Sequence, residues 1–147
     1  MQVDGKCLLV VADGANARLL EERRRGGPLT EQPSWVADLQ PGASPSLAKG
    51  RVFDRFGPGS HTIEGMPPRD RSELQFLKQL AARIDRLIVS EDFDEVILIA
   101  PPRALGMLRS ALSPAVVKKL GPGEAAERCG ESPTALRGVI RRLRNLQ

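Results

Sequence analysis

Two short stretches of the chain are apolar at almost every position. Lys6 is followed by Cys7-Leu8-Leu9-Val10-Val11-Ala12, and Asp92-Phe93-Asp94 leads into Glu95-Val96-Ile97-Leu98-Ile99-Ala100. Runs of this length and branching, without alternation, predict strands over 6–12 and 95–100 that are buried on both faces at the centre of a sheet. Asp13-Gly14-Ala15-Asn16 supplies turn chemistry, with Gly14 and Asn16 suited to positive φ, so Ala17 to Arg23 is expected to return as the second arm of a hairpin. Gly26-Gly27-Pro28 breaks that arm. Ser34 to Leu39, with Trp35, Ala37 and Leu39 on one face, is predicted as a third strand.

The period then changes. Leu74, Leu77, Ala81, Ile84 and Ile88 recur at spacings of three and four, with Arg71, Lys78, Asp85 and Arg86 outside the stripe, which predicts a helix over 71–90. Asp70 and Glu73 have the spacing of a capping box at its start. A long helix before the 95–100 run predicts a crossover to a parallel strand. Pro101-Pro102 ends that strand, and a helix is expected from Arg103 to about Leu112. Ser113-Pro114 and Ser132-Pro133 each place a capping serine before a first-turn proline. The first predicts a short helix to Leu120, and the second a last helix with Leu136, Val139, Ile140 and Leu143 on its apolar face. A short edge strand is expected around Ala125 to Cys129.

Between these patterned segments, Pro41 to Pro68 is crowded with Gly, Pro and Ser. A loop this long in a compact domain points to function or disorder. It contains Asp54, His61 and Glu64, and His61 is the only histidine in the chain.

Composition narrows the class. A chain of 147 residues, 41% hydrophobic, suits one domain spanning 1–147. Four Phe, one Trp and no Tyr argue against a base-stacking surface, which needs exposed aromatics. The apolar run after Lys6 is too short for a signal-peptide core or a membrane span, so a cytoplasmic location without membrane insertion is expected. Cys7 and Cys129 form no CxxC or CxH pattern, which predicts free thiols and no zinc or redox motif. The formal charge of +4 is uneven, with Arg23-Arg24-Arg25 in one cluster and Arg137, Arg141, Arg142 and Arg144 in another. The second cluster supplies candidate nucleic-acid contacts.

Any chemistry requiring imidazole must use His61. Asp54, His61 and Glu64 are candidates to bind a ligand or partner, and as metal ligands they offer three donors at most. Ser60 and Ser113 lie outside any G-x-S-x-G pattern, so a serine hydrolase is not indicated. Arg103, where a strand ends and a helix begins, is a further candidate for ligand binding, since helix N-termini favour anions. Prolines at 101 and 102 donate no N–H there. No residue set amounts to a catalytic site, and no metal or cofactor is expected.

Several motifs together resemble the bacterial host-attachment protein family, over roughly residues 6 to 144. They are Val10 to Leu19 as an opening strand and turn, Phe53-Asp54 with His61-Thr62-Ile63-Glu64 in the central loop, and Leu98-Ile99-Ala100-Pro101-Pro102-Arg103-Ala104-Leu105-Gly106 with Leu112-Ser113-Pro114. The resemblance implies an α/β domain like the middle domain of archaeal and eukaryotic class-1 release factors: a mixed sheet, an N-terminal three-stranded meander and flanking helices. In those factors the long loop carries Gly-Gly-Gln. The counterpart here, Gly50 to Met66, has Gly57-Pro58-Gly59-Ser60 and no glutamine, so release activity is not implied. Arg128-Cys129-Gly130-Glu131-Ser132-Pro133 also departs from the family, which tends to have a Thr-His pair before the last helix.

The leading expectation is therefore a noncatalytic cytoplasmic binding protein of the host-attachment type, which affects attachment indirectly through an unidentified protein partner. The alternative is a translation-associated factor that contacts the ribosome or tRNA without hydrolysing peptidyl-tRNA. A small enzyme built on Asp54, His61 and Glu64 is the third.

Overall fold

The computed structural model describes residues 5–40 and 66–145. The central loop from 41 to 65, with Asp54, His61 and Glu64, lies outside the described residues. Five strands form one mixed sheet: β1 (Cys7–Ala12), β2 (Ala17–Glu22), β3 (Leu29–Glu31), β4 (Glu95–Ala100) and β5 (Glu124–Ala125), in the order β3-β2-β1-β4-β5. The helices are α1 (Pro68–Ser90), α2 (Pro102–Ala111), α3 (Pro114–Val117) and α4 (Pro133–Asn145). β2 pairs antiparallel with β1 and with β3, while β4 runs parallel to β1 and β5 parallel to β4. The meander and the parallel crossover follow the sequence expectation.

The two apolar runs lie side by side with Leu8 opposite Val96 and Val10 opposite Leu98. Because alternate strand residues face opposite ways, each run feeds two cores. Leu8, Val10, Ala12, Val96 and Leu98 pack with Leu77, Leu80, Ala81 and Ile84 of α1 and Leu108 of α2. Cys7, Leu9, Val11, Leu20, Ile97 and Ile99 pack with Leu136, Val139, Ile140 and Leu143 of α4. Each fully buried aliphatic side chain contributes roughly 1.5–3 kcal/mol relative to exposure.

Five local expectations are corrected. The 13–16 turn uses no positive φ: among the described residues only Gly26 at 85° and Asp92 at 60° have it. Asp13 instead closes the turn, its Oδ1 accepting from Ala15 N at 2.8 Å and Asn16 N at 2.7 Å. This side-chain turn serves where backbone chirality was expected to. The third strand is Leu29–Glu31 rather than Ser34–Leu39, since Pro33 cannot donate to a ladder and opens a 3-10 turn over Pro33–Trp35. Trp35 still reaches the core, its ring edge-on to Phe93 at 5.9 Å.

The capping box is also absent. α1 begins at Pro68 with no side-chain cap, as a first-turn proline has no N–H to satisfy. Asp70 then lies within the first turn. The edge strand contracts from the expected Ala125 to Cys129 to Glu124–Ala125. Both serine caps form: Ser113 Oγ accepts from Val116 N at 3.3 Å and Ser132 Oγ from Ala135 N at 3.1 Å. The first helix ends at Val117 rather than Leu120, which forms a bridge to Val96.

Candidate functional site

The arginines of the last helix do not act as one patch. Arg137, Arg141 and Arg144 stand at i, i+4 and i+7, so α4 presents them on one stripe, beside the apolar face that docks it on the sheet. Arg142 points elsewhere and pairs with Glu124 at 2.7 Å. The stripe meets the end of β2, where Glu22 is fully buried. Leu20 and Glu22 share the strand face that α4 covers, so the carboxylate arrives directly beneath the stripe.

Glu22 organises this end of the molecule. Its Oε2 accepts from Arg137 at 2.6 Å, Arg144 at 2.9 Å and the Gly26 N–H at 3.0 Å, and its Oε1 accepts from Arg144 at 2.8 Å. Arg144 also reaches Glu95 Oε1 at 2.8 Å, and Arg137 donates to the Gly27 carbonyl. Burial alone would raise the Glu22 carboxyl; hydrogen bonds from Arg144, Arg137 and Gly26 outweigh it and hold the group below the ordinary glutamate range. The hydrogen bond to Glu22 raises Arg144 further above its already high value. Glu22 and Arg144 thus keep their charge at neutral pH, although Arg144 Nε is buried without a hydrogen-bond partner.

Above the Glu22 pairs lies a cleft of about 290 Å³ lined by Arg25, Gly26, Arg137, Arg141, Arg144 and Asn145. Arg25 comes from the β2–β3 connection and approaches Glu95 at 3.8 Å. Arg141 has no carboxylate partner among the described residues. Gly26 adds no side chain, and the space a Cβ would occupy there is open. Its φ of 85° suits glycine and turns its N–H onto Glu22.

Arg103 occupies another place. It reaches Asp70 Oδ2 at 2.6 Å and Glu73 Oε1 at 4.0 Å, joining the N-terminal turns of α2 and α1. It ties the starts of the two helices together while its side chain stays 55% exposed.

A cluster of metal-capable donors also forms at the other end of β1, where ligand atoms of Asp13, Glu127 and Cys129 lie within 4.8 Å of one another. Their chemistry fits a hydrogen-bonded turn. Burial, then the nearby Asp13 and Glu127 charges, push the Cys129 thiol up to about 12, so it is a neutral hydrogen-bonding group beside the two carboxylates at neutral pH. Asp13 is already accepting from two backbone N–H groups, and Glu127 Oε2 accepts from Cys129 N at 3.1 Å.

The structure therefore brings together three of the four arginines marked in the sequence, separates Arg142 and Arg103 from them, and adds Arg25 and Glu22. The available signal for Glu22 was a carboxylate two residues after Leu20, on the same strand face, and opposite in charge to the later arginine stripe. Arg25 belongs to the first arginine cluster of the sequence, but nothing local indicated its place here, since its neighbours lie 70 residues downstream at Glu95 and farther on, in α4.

The family model described as "Protein required for attachment to host cells" matches residues 8–138. The match takes in the sheet from Leu8 onward and ends inside α4, so Arg25 and Arg137 fall within it and Arg141 and Arg144 beyond it. No curated protein matches the chain.

Proposed function

The chain belongs to the family of proteins required for attachment to host cells, and from that premise we propose that it serves attachment as a noncatalytic binding protein of the cytoplasm, with an indirect effect on the cell surface. The carrying observation is the arginine-lined cleft over buried Glu22. Two of its guanidiniums are fixed in place before any partner arrives, which lowers the ordering cost of binding. The groups around it support binding rather than turnover. Glu22 is held ionised as a counter-ion, and arginine does not exchange its proton near neutral pH. Free Cys7 and Cys129 accord with a reducing compartment. Among the described residues no helix is long and apolar enough to cross a membrane.

The test is genetic and topological. A strain lacking the gene should attach poorly to host cells, and the wild-type gene should restore attachment while the Arg25→Ala/Arg141→Ala double variant should not. Protease applied to intact cells should leave the protein whole. Its digestion under those conditions would overturn the cytoplasmic reading, and full restoration by the double variant would overturn the cleft as the binding site.

A further inference from the structure

Resting on that binding reading, we infer that the cleft takes the phosphate group of a small phosphomonoester rather than a nucleic-acid strand. Charge comes first. Arg25, Arg137, Arg141 and Arg144 bring four positive charges, and Glu22 and Glu95, which contact three of them, remove two. The carbonyl end of α4 contributes about half a negative charge more. The balance is about +1.5, against roughly −1.5 to −2 on a phosphomonoester at neutral pH. The two match.

Geometry separates a single phosphate from a strand. The volume of about 290 Å³ lies at the lower edge of small-molecule sites, which begin near 300 Å³. A strand needs a groove that tracks successive phosphates, with aromatic side chains for its bases. The cleft wall is arginine, glycine and asparagine. Arg142, which would have extended the basic stripe, is turned away to Glu124 at 2.7 Å.

The four guanidiniums divide the work. Arg137 and Arg144 form the floor: Arg137 donates to Glu22 through one nitrogen and Arg144 through two, with side chains only 15% and 10% exposed. Glu22 occupies part of their donor sets and fixes the orientation of the rest. Arg25 and Arg141 form the exposed rim and are the residues able to close bidentately on phosphate oxygens, a geometry that suits guanidinium better than ammonium. Asn145 adds an amide to the lining. Recognition then depends on the rim pair, while the floor pair belongs equally to the fold.

The test uses the whole chain labelled with ¹⁵N and titrated with inorganic phosphate and with glycerol 3-phosphate. Ionic strength is held constant with chloride, and a short single-stranded RNA serves as a separate arm. Both phosphates should give saturable shifts centred on Arg25, Gly26, Arg137 and Arg141. Arg25→Ala and Arg141→Ala should each weaken binding at least about tenfold, as expected for one charge-assisted contact, with spectra and melting otherwise like wild type. Non-saturating shifts that chloride reproduces would overturn the proposal. So would unchanged affinity in both rim variants, or RNA binding that loses affinity steeply with salt while the phosphates do not bind. If the phosphates fail and the double variant still does not restore attachment, the ligand class falls and the binding reading stands.

Discussion

At the scale of the residue, Glu22 has the most to lose. Glu22→Gln keeps the shape and removes the charge, leaving Arg137 and Arg144 over a neutral amide in a buried setting. Breaking a buried pair on one side costs about 3–5 kcal/mol, and chemical denaturation should show a loss of that order. Acid should reproduce part of it. The folded carboxyls of Glu22, Glu31 and Glu124 all lie below the reference value of 4.5. Their stabilisation is therefore present in full above that value and is lost as pH falls through the folded values. Stability measured from pH 7 to pH 3 should fall most steeply below about 4.5, and Glu22→Gln should fall less steeply there. A pH profile of the same slope in both proteins would mean that Glu22 contributes little. The thiols give an independent check. With Cys7 buried and raised and Cys129 pushed up to about 12, alkylation of the native protein at pH 8 should be slow at both. Urea should release it, and rapid native labelling of Cys129 would contradict the upward push from its partial burial and from Asp13.

At the scale of the element, glycines mark where backbones touch and where they do not. A Cβ on Gly123 would lie 2.6 Å from the Leu98 carbonyl oxygen, so Gly123→Ala must push β4 and the chain beside β5 apart. It should cost about 1–3 kcal/mol, the usual range for overpacking. Gly106 in α2 and Gly138 in α4 have open space instead, and alanine at either should add roughly 0.5–1 kcal/mol through helix propensity. Thermal melts of the three variants should move in those opposite directions; a stabilised Gly123→Ala would show that the close approach is slack. Elements were readable where one periodicity ruled: β1, β4, α1 and α4 are where the apolar runs and three-four spacings put them. They failed where a single residue decided, as with Pro33 ending the third strand and Pro67-Pro68 displacing the Asp70 cap. The cleft was half readable for a related reason. Spacing on α4 announces Arg137, Arg141 and Arg144 as a stripe, but the partner carboxylate and Arg25 arrive only through the β2–α4 packing, which no local pattern encodes.

At the scale of the whole molecule, the two faces of the sheet are covered unequally. α1 and α2, together with the segments around Trp35 and Phe93, close one face, while among the described residues α4 is the one helix on the other, with Cys129 also packed against that core. Leu136→Ala or Ile140→Ala should therefore cost about 2–5 kcal/mol, measured as a shift in the urea midpoint, since no second helix can settle into the gap. A cost under about 1 kcal/mol would show that the face recruits other cover. The same inequality has a temporal side. A ribosome delivers this chain from its amino end, so β1, β2, α1 and β4 are all in solution while α4 is still being made. During that interval the helices of the first face can dock, and the row Leu9, Val11, Leu20, Ile97 and Ile99 has water against it. Nascent chains in such a state are prone to associate with one another or to be held by chaperones. Arrest of synthesis just before Pro133 should thus yield a sticky, half-roofed intermediate, and a synthetic peptide of residues 133–145 added to it should complete the fold in trans.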